Sequence, residues 1–232
     1  MEELPARAAI LFDLDGTLTD PFIGITRSIQ YAMEALGRAA PAADDLRWCI
    51  GPPLHASFPK LLGTDDQALV EEAVRLYRER YSDIGKFENS LIEGIPETLS
   101  RLADGGHQMF VATSKLSTYA NEIIEHFGLR KYFKALYGSG LDGRHADKTE
   151  LIAHLLESES LDPERCTMIG DRSHDVLGAN ANKTRSIGVL WGYGDRQELE
   201  SAGAGLIVER PQELPGLVAS RRLPDGRFPG YQ

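Results

Sequence analysis

Two aspartates stand two apart where a short apolar run gives way to a glycine turn, Ile10-Leu11-Phe12-Asp13-Leu14-Asp15-Gly16-Thr17-Leu18. If extended backbone persists through Asp15, alternation points both carboxylates the same way. Two like charges held that close are costly unless a cation sits between them or one takes up a proton. Both solutions suit catalysis: a nucleophilic carboxylate beside Mg²⁺, and a neighbour that cycles as acid and base. An Asp-Gly pair with a capping aspartate also makes an ordinary turn, so the run by itself leaves both readings open.

Three further runs repeat the theme. Met168-Ile169-Gly170-Asp171-Arg172-Ser173-His174-Asp175 again places carboxylates, now four apart, just past an apolar stretch. Mg²⁺ favours a few carboxylates plus waters, and Asp171 is placed to complete a site begun at Asp13. Val111-Ala112-Thr113-Ser114-Lys115 ends an apolar run on hydroxyls ahead of a predicted helix. Hydroxyls and free N–H groups at a helix start can hold an anion, although Ser and Thr there also serve simply as caps. Lys148 opens another predicted helix and offers a cation to a phosphate or a carboxylate; Lys115, beside the hydroxyls, is its rival. The six histidines (55, 107, 126, 145, 154 and 174) show no metal-binding spacing.

The elements that must carry these residues are legible as short apolar runs. They lie at Ala9–Phe12, 109–112, 135–137, 167–169, 187–190 and Leu206–Val208, mostly apolar at consecutive positions. That is the pattern of parallel strands buried on both faces. Phe22, Ile25, Ile29, Met33 and Leu36 line one face of a helix ending near Gly37, and Leu151, Ile152, Leu155 and Leu156 mark another. Alternating strands and helices predict an α/β fold with a doubly wound parallel sheet. The stretch between the first two strands far exceeds the ~30 residues of a βαβ unit. It carries helical patterns at 44–51, at Leu54–Leu62 and from the capping-box sequence Thr64-Asp65-Asp66-Gln67 through Tyr81. Residues 20–90 are therefore predicted as an inserted small helical cap domain. The core domain takes 1–19 and 91–220, and 221–232 form a C-terminal tail.

Composition narrows the class. The 232 residues carry 25 Lys and Arg against 35 Asp and Glu, a net charge of −10, and are 42% hydrophobic. That is enough apolar material to bury a core without a disulfide or structural metal. A pI near 5.1 argues against a nucleic-acid polymer or an anionic membrane as partner. No apolar run approaches the ~18–20 residues of a membrane span, and the acidic start Met1-Glu2-Glu3 is no signal peptide. Cys49 and Cys166 cannot build a disulfide framework and read as reduced core residues of a cytoplasmic protein.

Taken together, the four runs resemble the haloacid-dehalogenase-like (HAD) hydrolase superfamily. That family shows Asp-x-Asp-Gly-Thr after its first strand, a Thr or Ser after the second, then a Lys, then Gly-Asp-x-x-x-Asp. Asp13 and Asp15, Thr113, Lys148, and Asp171 and Asp175 match in that order, and the resemblance covers about residues 9–208. It implies a Rossmann-type core, a helical cap and Mg²⁺ as cofactor. It also implies roles: Asp13 as nucleophile, Asp15 as acid and base, and Thr113 with Ser114 and backbone N–H groups holding the phosphoryl oxygens. Lys148 would offset the charge. The metal would be held by Asp13, the Asp15 carbonyl and Asp171, with Asp175 in support. Lys148 is followed by Thr149-Glu150 rather than the proline-rich turn of many relatives, which keeps Lys115 in play.

A retained Asp15 favours phosphate esters over dehalogenation or phosphonate cleavage. It leaves a phosphomutase open, and a silent binding scaffold would have lost a carboxylate. Phosphoglycolate phosphatase-like enzymes are the nearest look-alikes. Thr19-Asp20-Pro21, Gly51-Pro52-Pro53-Leu54 and Trp191-Gly192-Tyr193-Gly194 also look like a 5′-nucleotidase-like branch. The expected substrate is a small phosphorylated metabolite, phosphoglycolate ahead of a nucleoside monophosphate, and the expected state a monomer or homodimer. Arg47, Gly51, Pro52 and Lys60 are the residues expected to read the substrate from the cap.

Overall fold

Apolar side chains at consecutive positions can all be buried only if a strand is covered on both faces, and the observed sheet meets that demand. The computed structural model describes residues 9–218; the expected tail at 221–232 and the acidic start lie outside them. The chain runs β1 (Ala9–Phe12), β2 (Thr19–Asp20), α1 (Phe22–Ala35), α2 (Leu54–Leu62), α3 (Gln67–Asp83), β3 (Ser90–Leu91), α4 (Ile95–Asp104) and β4 (Gln108–Leu116). It continues with α5 (Ser117–His126), β5 (Ala135–Ser139), α6 (Lys148–Ser158), β6 (Cys166–Gly170) and α7 (Ser173–Ala181). The last elements are β7 (Arg185–Val189), α8 (Arg196–Ser201), β8 (Leu206–Val208) and α9 (Leu214–Val218).

Six strands pair in parallel in the order β5-β4-β1-β6-β7-β8. The side chains of β1 divide between two apolar layers. Ile10 and Phe12 pack with Leu99 of α4 and Ile123 of α5, whereas Ala9 and Leu11 pack with Leu151, Ile152 and Leu155 of α6. The chain leaves β1 toward β4 and β5 on one side, then returns to build β6, β7 and β8 on the other. The carboxyl ends of β1, β4 and β6 thus flank the point where strand order reverses, which is where open α/β sheets form their crevice.

The long stretch between β1 and β4 carries α1, α2 and α3 around a hydrophobic cluster of its own, including Ile25, Ile29, Leu46, Phe58, Val74 and Tyr81. An antiparallel ribbon pairs Thr19 with Leu91 and Asp20 with Ser90 where the chain enters and leaves it. Two details differ from the sequence reading. Residues 44–51 hold a 3₁₀ turn, Ala43–Cys49, rather than an α-helix. The cap of α3 is Asp66, whose side chain accepts from Ala68 N, while Thr64 Oγ1 accepts from Asp66 N one step earlier. Asp wins because its carboxylate adds charge at the positive helix end. Both cysteines are buried and unpaired, and among the described residues no helix is long and apolar enough to cross a membrane.

Candidate active site

Asp13 follows β1 directly, and its N–H still donates to Ile169 O at 2.9 Å, so the strand pairing holds it in place. Asp171 follows β6, the neighbouring strand, and Asp175 sits in the first turn of α7. Carboxylate oxygens of Asp13, Asp171 and Asp175 all lie within 4.8 Å of one another, and all three residues are buried. Lys148, at the start of α6, reaches into this cluster. Its Nζ is 3.0 Å from Asp13 Oδ1 and 2.8 Å from Asp175 Oδ1, and it donates to Ala112 O at 2.9 Å.

The electrostatics of the cluster are unbalanced. Burial, and then the charges of Asp175 and Asp13, push the Asp171 carboxyl well above the usual range. Burial lifts Asp175 to about 6 against the pull of Lys148. Burial alone would lower the Lys148 ammonium, but Asp13 and Asp175 outweigh it and keep it charged. The charge pairs are close but poorly angled, leaving Asp13 Oδ1 and Asp175 Oδ1 buried without a well-directed hydrogen bond. Hard oxygen donors, close together and short of positive charge, fit Mg²⁺.

Glycines make this crowding possible. Gly16, at φ +81, comes so near Asp171 that a Cβ there would stand 2.3 Å from Asp171 Oδ2. Thr17 Oγ1 donates to Asp171 Oδ1 at 3.3 Å and Tyr193 N to Asp171 Oδ2 at 2.8 Å, fixing that carboxylate from two sides. Gly16→Ala is therefore expected to lower stability by about 1–3 kcal/mol, the range for forcing atoms into packed space, and to depress activity. Thermal unfolding and turnover of the variant check this; an unchanged Tm would mean the cradle has slack.

Asp15 occupies different surroundings. Lys115 Nζ lies 2.8 Å from Asp15 Oδ2 and donates to Tyr81 Oη at 2.5 Å, with the ammonium 4.6 Å from that ring's centroid. Burial raises the Asp15 carboxyl, and Lys115 partly opposes it. The two lysines thus divide the carboxylates: Lys148 serves Asp13 and Asp175, Lys115 serves Asp15. Thr113 is buried within β4, which runs on to Leu116 through a register shift. The helix starts only at Ser117, so Thr113 and Ser114 lie on strand backbone rather than at a helix N-terminus; Thr113 Oγ1 accepts from Lys115 N.

A cavity of ≈110 Å³ opens beside Asp15, Ser114 and Lys115, with Gly51, Pro52 and Pro53 among its walls. Of the four residues expected to read substrate, Gly51 and Pro52 line it and the other two lie elsewhere. Exposed Arg47 stacks over Phe22 and Tyr193, and exposed Lys60 over Trp48. Sequence reasoning missed Tyr77, Arg78 and Tyr81, which enter the cavity from α3. Their helical spacing looks like any packed face, and only the fold shows that it lies against Asp15. Arg172 ties the two parts of the molecule, donating from Nη1 to Ile50 O at 2.5 Å and from Nε to Glu198 Oε1 at 3.0 Å.

Known proteins resemble this chain in sequence and in fold. The haloacid dehalogenase-like hydrolase family matches residues 10–189. A 5′-nucleotidase of Pseudomonas aeruginosa is 52% identical over 83% of this chain and 86% of its own length. The tyrosine-protein kinase PtkA of Mycobacterium tuberculosis is 40% identical over 86% of this chain and 67% of its own. Among solved structures, a predicted phosphatase from Clostridium acetobutylicum superposes with a TM-score of 0.87 at 40% identity, covering 91% of this chain and 98% of that one.

Proposed function

Because the chain belongs to the haloacid dehalogenase-like hydrolases, we propose that it is a phosphatase that hydrolyses a small phosphate monoester through an aspartyl-phosphate on Asp13. The observation that carries this reading is the pairing of Asp13 with Lys148 inside a buried carboxylate cluster, with Asp15 set apart on its own lysine.

Each residue then has a task. An Asp13 oxygen attacks phosphorus as the bond to the leaving oxygen breaks, and Asp15 delivers its proton to that oxygen. Asp15 then takes a proton from a water that attacks the same phosphorus, releasing phosphate and restoring Asp13. The raised Asp15 carboxyl suits a group that must hold a proton before giving it up. Thr113, Ser114 and Lys148 supply donors to the phosphoryl oxygens, since this chemistry is mostly positioning and charge neutralisation. Asp13, Asp171 and Asp175, with the Asp15 carbonyl, would hold Mg²⁺, which when bound neutralises phosphoryl charge as a Lewis acid. Residues 20–90 act as the cap, whose walls exclude water from the reacting groups.

For the substrate, we place a nucleoside 5′-monophosphate ahead of phosphoglycolate, reversing the order read from sequence. The 52% identical relative is named for that activity, and the cavity beside Asp15 is walled by flat Pro52, Pro53, Tyr77 and Tyr119 surfaces that suit a base or sugar. A kcat/KM survey over nucleoside 5′-monophosphates and 2-phosphoglycolate tests the order, which fails if 2-phosphoglycolate is the better substrate. Asp171→Ala is expected to raise the Mg²⁺ concentration for half-activity at least ~10-fold, the scale on which losing a metal-site partner is felt. EDTA should silence the wild type. Full activity in EDTA would remove the metal from the account.

A further inference from the structure

Three arginines of α3 lie close together, and two are spoken for. Arg75 donates to Glu72 and Glu79, and Arg80 to Glu88, at 2.7–3.1 Å. Arg78 makes no ion pair with any described residue, and its Nε is buried without a hydrogen-bond partner. It lines the cavity that contains Asp15. Three residues further on, about 4.5 Å along the helix axis, Tyr81 touches Lys115, which in turn touches Asp15. A leaving group departing from Asp15 into this cavity therefore passes along the face that carries Arg78.

A buried guanidinium N–H without an acceptor is unfavourable, so the structure holds a donor whose acceptor is missing. Guanidinium has five donors and no acceptor, so it engages only a ligand edge made of acceptors. Among purine bases, the 6-oxo edge offers O6 and N7 together, a match for a bidentate arginine, whereas adenine places an amino donor at position 6. The apolar faces of Pro52, Pro53 and Leu54 bound the same space and suit the flat face of a base. We propose that Arg78 is a specificity-determining residue that selects 6-oxopurine nucleoside 5′-monophosphates over the 6-amino analogue. The inference rests on the nucleotide reading above and adds the base.

The test compares kcat/KM for IMP and AMP, which differ only in the 6-oxo or 6-amino group and the N1 proton that goes with the oxo form, in the wild type, Arg78→Ala and Arg78→Lys. p-Nitrophenyl phosphate, which has no base, registers any general loss, and circular dichroism registers folding. The wild type should prefer IMP by roughly 10–100-fold, the worth of one bidentate arginine–base pair. Both variants should bring the ratio toward one by losing IMP more than AMP; Arg78→Lys does so with charge kept and the planar fork removed. A wild-type ratio near one, or a ratio the variants do not change, overturns the assignment of Arg78 and leaves the nucleotide reading standing. Loss confined to 2-phosphoglycolate in the variants would mean that Arg78 reads a carboxylate, which also overturns it. If p-nitrophenyl phosphate is turned over but no nucleotide is, the nucleotide reading falls and the proposal with it.

Discussion

Asp13→Asn is expected to remove turnover almost completely, by roughly 10³-fold or more in kcat, the scale on which enzymes lose activity with their nucleophile. The amide is a poor nucleophile and a weaker metal ligand, so one atom change strikes two functions. It also leaves the Lys148 ammonium with one buried carboxylate, Asp175, in place of two. The fold should survive, because Asp13 is held by a main-chain hydrogen bond to Ile169 that the substitution does not touch. Activity with Mg²⁺ and circular dichroism of the variant check both halves. Retention of more than about a tenth of kcat would mean that another group attacks phosphorus.

Asp15→Asn should cost about 10²–10⁴ in kcat, the usual range for losing general acid–base catalysis. An asparagine side chain can still occupy the space beside Lys115 but cannot pass a proton to the leaving oxygen. The loss should therefore depend on the leaving group. p-Nitrophenolate departs without much protonation, whereas an alkoxide such as a nucleoside 5′-oxygen does not. Rates for both esters in wild type and variant decide the matter, and an equal loss on the two would count against Asp15 as the acid. Because Lys115 also contacts Tyr81 of α3, Asp15→Asn alters a contact that joins α3 to the sheet. The leaving-group comparison separates that effect from proton transfer, since a disturbed contact would slow both esters alike.

What could be read from the residues alone, and what could not, follows from how local each signal is. Buried parallel strands announce themselves as consecutive apolar residues, so the places of β1, β4, β5, β6, β7 and β8 were visible, and Leu206–Val208 matched to the residue. Strand ends were not. β4 runs four residues past its apolar run because, beyond a register shift across Thr113, Ser114 and Lys115, Leu116 pairs again with Ser139, which hydropathy does not register. The ribbon of Thr19 and Asp20 with Ser90 and Leu91 is too short to carry a pattern. Carboxylates at strand ends were legible because Asp-x-Asp and Gly-Asp-x-x-x-Asp are local; that they meet within 4.8 Å depends on β1 and β6 being neighbours. The choice between Lys148 and Lys115 could not be made from spacing, and it dissolves in the structure because each lysine serves a different aspartate. Arg47 and Lys60 sit near the Pro-Pro loop in sequence but project onto aromatic rings outside the cavity. Arg78, about three turns into a helix of alternating charge, gave no sign that its acid partners were taken.

In the proposed mechanism, hydrolysis proceeds by two successive displacements at phosphorus with Asp13 as the first nucleophile. Each in-line displacement inverts phosphorus, so two of them restore the original configuration. The stereochemical course of transfer from a phosphate ester made chiral with oxygen isotopes and sulfur measures this without depending on how long the intermediate lives. Net retention is the predicted result; net inversion would mean that water attacks the ester directly and that Asp13 is not the nucleophile.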